Sequence, residues 1–86
     1  MKNYAVSDWN INSKEDVSGV WDHLYTDKEK AISDLRDALK KMYDPDDDLT
    51  DKEFFVEEAR TEAGYFVVVN ECEAGGSVKE VKALEN

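Results

Sequence analysis

The sequence predicts an α+β fold in which a small antiparallel sheet packs on one amphipathic helix. Three observations predict it. A helical apolar stripe runs between a capping signal and a proline, a continuous aromatic and β-branched run occupies residues 65–69, and shorter strand-forming stretches are separated by turn signals. The chain has 86 residues, enough for a single small acidic domain over 1–86 and too few for a second core. Ile, Leu, Val and Phe number 19, just above the share below which so charged a chain stays unfolded, so a thin-cored domain is expected.

Residues 4–11, Tyr-Ala-Val-Ser-Asp-Trp-Asn-Ile, read as a first strand, and Asn10, Asn12 and Ser13 as the turn after it. Residues 17–25 satisfy two patterns. Val17, Val20, Trp21 and Leu24 fall on one helical face, with Ser13 and Asp16 as a loose capping box. Gly19 opposes a helix, and the β-formers from Val20 to Tyr25 run directly into a strong helix start, which favours a strand. Thr26-Asp-Lys-Glu29 is a capping box, followed by Ala31, Ile32, Leu35, Ala38, Leu39 and Met42 at helical spacing. Asp27 and Glu29 suit the positive end of the helix dipole, Lys40 and Lys41 the negative end, and Pro45 stops the helix. A helix over about 27–42 is the expectation.

The loop Asp44–Asp48 precedes a second Thr-Asp-Lys-Glu box, Thr50 to Glu53. The flanks of the two tetrapeptides differ, so they are two uses of one local device rather than an internal repeat. Residues 51–60 read either as a short second helix, with Phe55 and Ala59 one turn apart, or as one helical turn followed by a strand through Phe54, Phe55 and Val56. Tyr65-Phe-Val-Val-Val69 reads as a strand, and its unbroken apolar run predicts cover on both faces. Glu73-Ala-Gly-Gly-Ser77 reads as a turn. Val78, Val81 and Ala83 then form a last strand paired back in a hairpin, against a rival short helix begun by Ser77 with Glu80 as its box partner.

Charge narrows the function more than any motif. The net charge is −10, which disfavours direct contact with nucleic-acid phosphates or an anionic membrane surface. No apolar run approaches the roughly 18 residues of a membrane span, and no signal peptide is expected from Met1-Lys2-Asn3. One cysteine, Cys72, leaves no intrachain disulfide and no cysteine-based zinc site, so a cytoplasmic setting is expected. Residues 44–62 hold nine carboxylates and two bases, a net −7 in 19 residues. Such a concentration steers basic partners and costs stability by self-repulsion. The plain reading is a solvated acidic loop that aids solubility.

Sharper chemistry fits this pattern only in part. Asp44, Asp46 and Asp48 alternate as an EF-hand loop begins, but an EF-hand needs Gly at its sixth position and Glu at its twelfth. Counted from Asp44 these are Leu49 and Phe55; counted from Asp46 they are Asp51 and Glu57, so the glycine fails in both registers. A divalent cation on the Asp-rich loop stays as an alternative, with no cofactor expected otherwise. His23 is the only histidine, so an enzyme built on His23 or Cys72 is a second alternative without a local catalytic signature. The carboxylates are too many for any pair to mark a glycosidase. Gly75-Gly76 lacks the Lys-Ser or Lys-Thr of a phosphate loop, and Arg36 and Arg60 alone make no basic patch.

The expected partner-binding residues are therefore the carboxylates Asp44, Asp46, Asp47, Asp48, Asp51, Glu57 and Glu58, with Tyr43 and Phe54 or Phe55 as aromatic anchors beside them. In size, acidity and layout the chain resembles small phage and mobile-element inhibitors, the anti-CRISPR proteins and the DNA-mimic anti-restriction proteins. The resemblance is one of charge distribution and covers no aligned stretch. It implies carboxylates placed where a nuclease expects phosphates, and a host-cell cytoplasmic setting. The function read from the sequence is a non-enzymatic acidic interaction module that inhibits or decoys a basic nucleic-acid-binding protein. A homodimer is compatible with an exposed strand edge at 4–11 or 78–84.

Overall fold

The computed structural model describes residues 2–10, 18–69 and 74–81. The elements run β1 (Asn3–Asn10), β2 (Ser18–Tyr25), α1 (Lys28–Tyr43), α2 (Asp51–Phe54), β3 (Phe55–Thr61), β4 (Gly64–Val69) and β5 (Ala74–Val81). All strand pairs are antiparallel, in the order β2-β1-β5-β4-β3. The β1–β2 pair forms one side of the sheet. The chain then crosses through α1 and α2 to the far edge, and β3, β4 and β5 return inward until β5 lies beside β1. The sheet is thus closed at its centre by the first and last strands, and its edges are β2 and β3. This corrects the expected edges at 4–11 and 78–84: β1 and β5 are the interior strands.

The α+β fold is as the residue patterns predict, and its core lies between α1 and one face of the sheet. Ala31, Ile32, Leu35 and Leu39 of α1 are buried, against Tyr4, Val6, Tyr65, Val67, Val69, Ala74 and Val78 from the sheet, with Phe54 and Phe55 closing one side. Met42, read as the end of the helical stripe, is exposed instead, because it lies in the last turn beyond Leu39. Residues 18–25 are a strand and not a helix, and 51–60 divide into one helical turn and a strand, the second of the two readings of that segment. Asn10, read as part of the first turn, is the last residue of β1, while residues 11–17, Glu73 and Ala83 lie outside the described residues.

Two expectations fail for physical reasons visible in the sheet. Ala74 to Ser77 are strand, not turn. A Cβ at Gly76 would lie 2.8 Å from Leu35 Cδ1 of α1, and one at Gly75 would lie 2.6 Å from Cζ2 of Trp9. The glycines are there for close approach on both faces, which is the other reason a strand carries glycine. β4 has strands on both sides but is covered on one face only: Tyr65, Val67 and Val69 face α1, whereas Phe66 is exposed and Val68 half-buried.

Candidate functional site

The acidic segment begins at the end of α1, where the chain must turn sharply past Pro45. Asp44 organises that turn. Its carboxylate accepts from Lys40 Nζ at 3.1 Å and from the backbone N–H groups of Asp48 and Leu49 at 3.3 and 3.2 Å. Its side chain is 7% exposed. Burial pushes its pKa up, but the Lys40 hydrogen bond and the two backbone donors outweigh that and hold it below the usual carboxylate value. Asp47 adopts a φ of 54°, a left-handed conformation that Asp tolerates better than most residues. The loop tip made by Asp46, Asp47 and Asp48 is exposed.

Lys40 and Arg36, one turn apart on α1, tie this segment to the helix. Lys40 Nζ donates to the Leu49 carbonyl at 2.7 Å and also lies 3.6 Å from Asp47 and 4.0 Å from Asp51. Its ammonium sits 5.0 Å from the centre of the Phe54 ring. Burial works against its charge, but Asp44 foremost and then Asp47 and Asp51 raise its pKa overall. Arg36 stacks 4.0 Å over Phe55, pairs with Glu58, and reaches Asp51 at 3.5 Å. Its Nη1 also donates to the Tyr65 hydroxyl at 3.3 Å. Phe54 and Phe55 meet edge to face at 4.9 Å. Each α1 cation thus covers one ring and holds carboxylates with its polar end, a use of the amphipathic side chain.

This geometry divides the expected partner-binding residues. Phe54 is 1% exposed and Phe55 is buried, so neither is an exposed anchor; both are core residues. Tyr43 is half-buried and packs against the core. Asp44 is committed to its own loop. Glu58 faces α1 and is held by Arg36, while strand alternation turns Glu57 to the opposite face of the sheet. The carboxylates left together and exposed are Asp46, Asp47, Asp48 and Asp51. Asp37, which the sequence reading missed, joins them: it lines an open cleft of about 450 Å³ with Lys40, Lys41, Asp44, Pro45, Asp47 and Asp51. Its position one helical turn before Lys41 and two turns before Asp44 was the available signal.

The alternatives gain little from the geometry. The space between Asp44, Asp47 and Asp51 already holds a cation, the Lys40 ammonium. Among the described residues no group of three or more His, Cys, Asp or Glu side chains is arranged to hold a metal ion. His23 lies on β2 in a tilted aromatic ladder, 5.9 Å from Trp21 and 4.8 Å from Tyr25, with Nδ1 3.3 Å from Asp22. Cys72 lies outside the described residues. Among the described residues no helix is long and apolar enough to cross a membrane. Compared with protein-family models, curated proteins and solved structures, the chain matches none of them.

Proposed function

We propose that this protein is a non-enzymatic acidic interaction module that binds a basic protein surface, of the kind a nucleic-acid-binding protein presents, and competes for it. The observation that carries the reading is the exposed carboxylate tip, Asp46, Asp47 and Asp48, beside an open cleft that Asp37, Asp47 and Asp51 line together with Lys40 and Lys41. Lys40 and Arg36 hold Asp44 and Glu58 and also reach Asp47 and Asp51, whose side chains nevertheless stay largely exposed, while Asp46 and Asp48 stand at the exposed tip. Like charges held close raise the local potential and accelerate encounter with a cationic partner. An inhibitor of the anti-CRISPR or DNA-mimic type would use such carboxylates in place of phosphates, in the host-cell cytoplasm.

The test is capture from bacterial lysate by the wild-type chain and by the triple variant Asp46→Asn, Asp47→Asn, Asp48→Asn. The wild type retains a basic nucleic-acid-binding protein at low salt, and the variant loses it or holds it at least tenfold more weakly. Equal retention by both chains would remove the tip from the interface and the proposal with it.

A further inference from the structure

The sheet has a second face that nothing among the described residues covers. Strand alternation and register place Val20 and Leu24 of β2, Ala5, Ser7 and Trp9 of β1, Gly75 and Ser77 of β5, Phe66 and Val68 of β4, and Ala59 of β3 on the side away from α1. Val20, Leu24 and Phe66 are 67%, 51% and 44% exposed. Trp9 and Phe66 stack with ring centres 6.3 Å apart, across Gly75, where a Cβ would strike the Trp9 ring. At the centre the hydroxyls of Ser7 and Ser77, opposite one another in register, hydrogen-bond at 2.9 Å. The result is a mostly apolar surface with one hydrogen-bonded serine pair at its centre.

The geometry points to a second copy of this chain as the occupant of that face, in a back-to-back dimer of sheets. Area is the first argument. Five strands about 4.8 Å apart, paired over about six to eight residues at about 3.3 Å each, present roughly 500 Å² per copy. Two copies bury about 1,000 Å² or more, the level a specific interface must clear. Charge is the second. The chain carries −10, so any self-association must keep its acids apart. The described charged residues on this face are Asp22, Glu57 and Lys79, nearly balanced, whereas the carboxylate tip and Glu58 belong to the α1 side. Stacking the open faces therefore places both acidic surfaces outward. A cationic protein, by contrast, finds its complement on the other side of the molecule. Sheets stacked face to face at about 10 Å are an ordinary packing solution.

Sedimentation equilibrium on the full chain between about 1 and 200 μM tests this independently of the acidic tip. A dimer is expected, stable or tightened as salt rises, because salt screens the repulsion between two acidic chains. Phe66→Glu is expected to weaken it at least tenfold while circular dichroism stays that of a folded chain. Should Phe66→Glu fail to fold, the double variant Val20→Glu, Leu24→Glu at the more exposed β2 edge gives the same reading. The Asp46, Asp47, Asp48 triple variant should dimerise as well as the wild type. A wild-type monomer at 200 μM, or a dimer indifferent to the folded open-face variants, overturns the proposal and leaves the face to a different occupant. A dimer lost in high salt overturns it too, since that is the signature of association through charge.

Discussion

Asp44 shows how one carboxylate can be consumed by the fold while its neighbours stay available. It takes one side-chain and two backbone hydrogen bonds and is nearly out of solvent, although it stands within a run that reads as uniformly acidic. Its pKa is depressed in the folded chain, so its contribution is present above the ordinary Asp value of about 3.9 and is lost as the pH falls through the folded value. Asp44→Ala should therefore melt lower than the wild type at pH 7, with the gap closing toward pH 2; a gap independent of pH would assign the loss to packing alone. Tyr25 marks the opposite limb. Burial first, and then its hydrogen bond to Asp34 at 2.8 Å, push its pKa up to about 12. Its contribution is complete below the unfolded value of about 10 and is lost as the pH rises through about 12. In thermal melts from pH 9 to 12, the wild type should lose stability faster than Tyr25→Phe.

At the scale of elements, the two Thr-Asp-Lys-Glu boxes give a controlled comparison. The second closes as the pattern predicts: the Thr50 hydroxyl accepts from the Glu53 N–H at 3.3 Å, and the Glu53 carboxylate accepts from the Thr50 N–H at 3.4 Å. The first does not. Asp27 is the cap, accepting from the Glu29 N–H at 3.0 Å, and the Glu29 carboxylate accepts instead from Arg60, which donates to both its oxygens at 3.1 and 3.0 Å. Thr50→Ala should cost about 1 kcal/mol in denaturant melts, whereas Thr26→Ala should cost no more than a few tenths; comparable losses would contradict this assignment. The local signals were legible wherever chain neighbours decide the outcome, as in α1, β4 and the Thr50 turn. They were misleading where a distant residue decides. Asp27 took the cap from Thr26 while Glu29 paired with Arg60 across the fold, and Trp9 and Leu35 turned a Gly-Gly dipeptide from a turn signal into strand packing. Phe54 and Phe55 read as anchors because they follow acids in sequence, and only the crossing of α1 over them makes them core.

For the molecule as a whole, the sheet separates two surfaces of different character. One side carries α1, the acid-binding cations and the carboxylate tip; the other is mostly apolar, with a near balance of charge among its described residues. The concentration of charge in residues 44–62 was plain from the sequence, but its partition was not, because alternation in β3 sends Glu57 and Glu58 to opposite faces and Asp37 arrives from another element. A tip held for binding rather than for stability has a signature. At low salt the triple variant Asp46→Asn, Asp47→Asn, Asp48→Asn should melt higher than the wild type, through relief of repulsion, and the difference should shrink as salt rises. The same substitutions that strengthen the fold should weaken recognition.

The most direct test of the acidic-module account is the affinity of the chain for its captured partner, measured against salt concentration for the wild type and the triple variant. The account predicts a steep loss of wild-type affinity with salt, a weaker and flatter dependence for the variant, and displacement of the wild type by nucleic acid. Affinities that coincide for the two chains across the salt range would contradict it and leave the tip with no role beyond solubility.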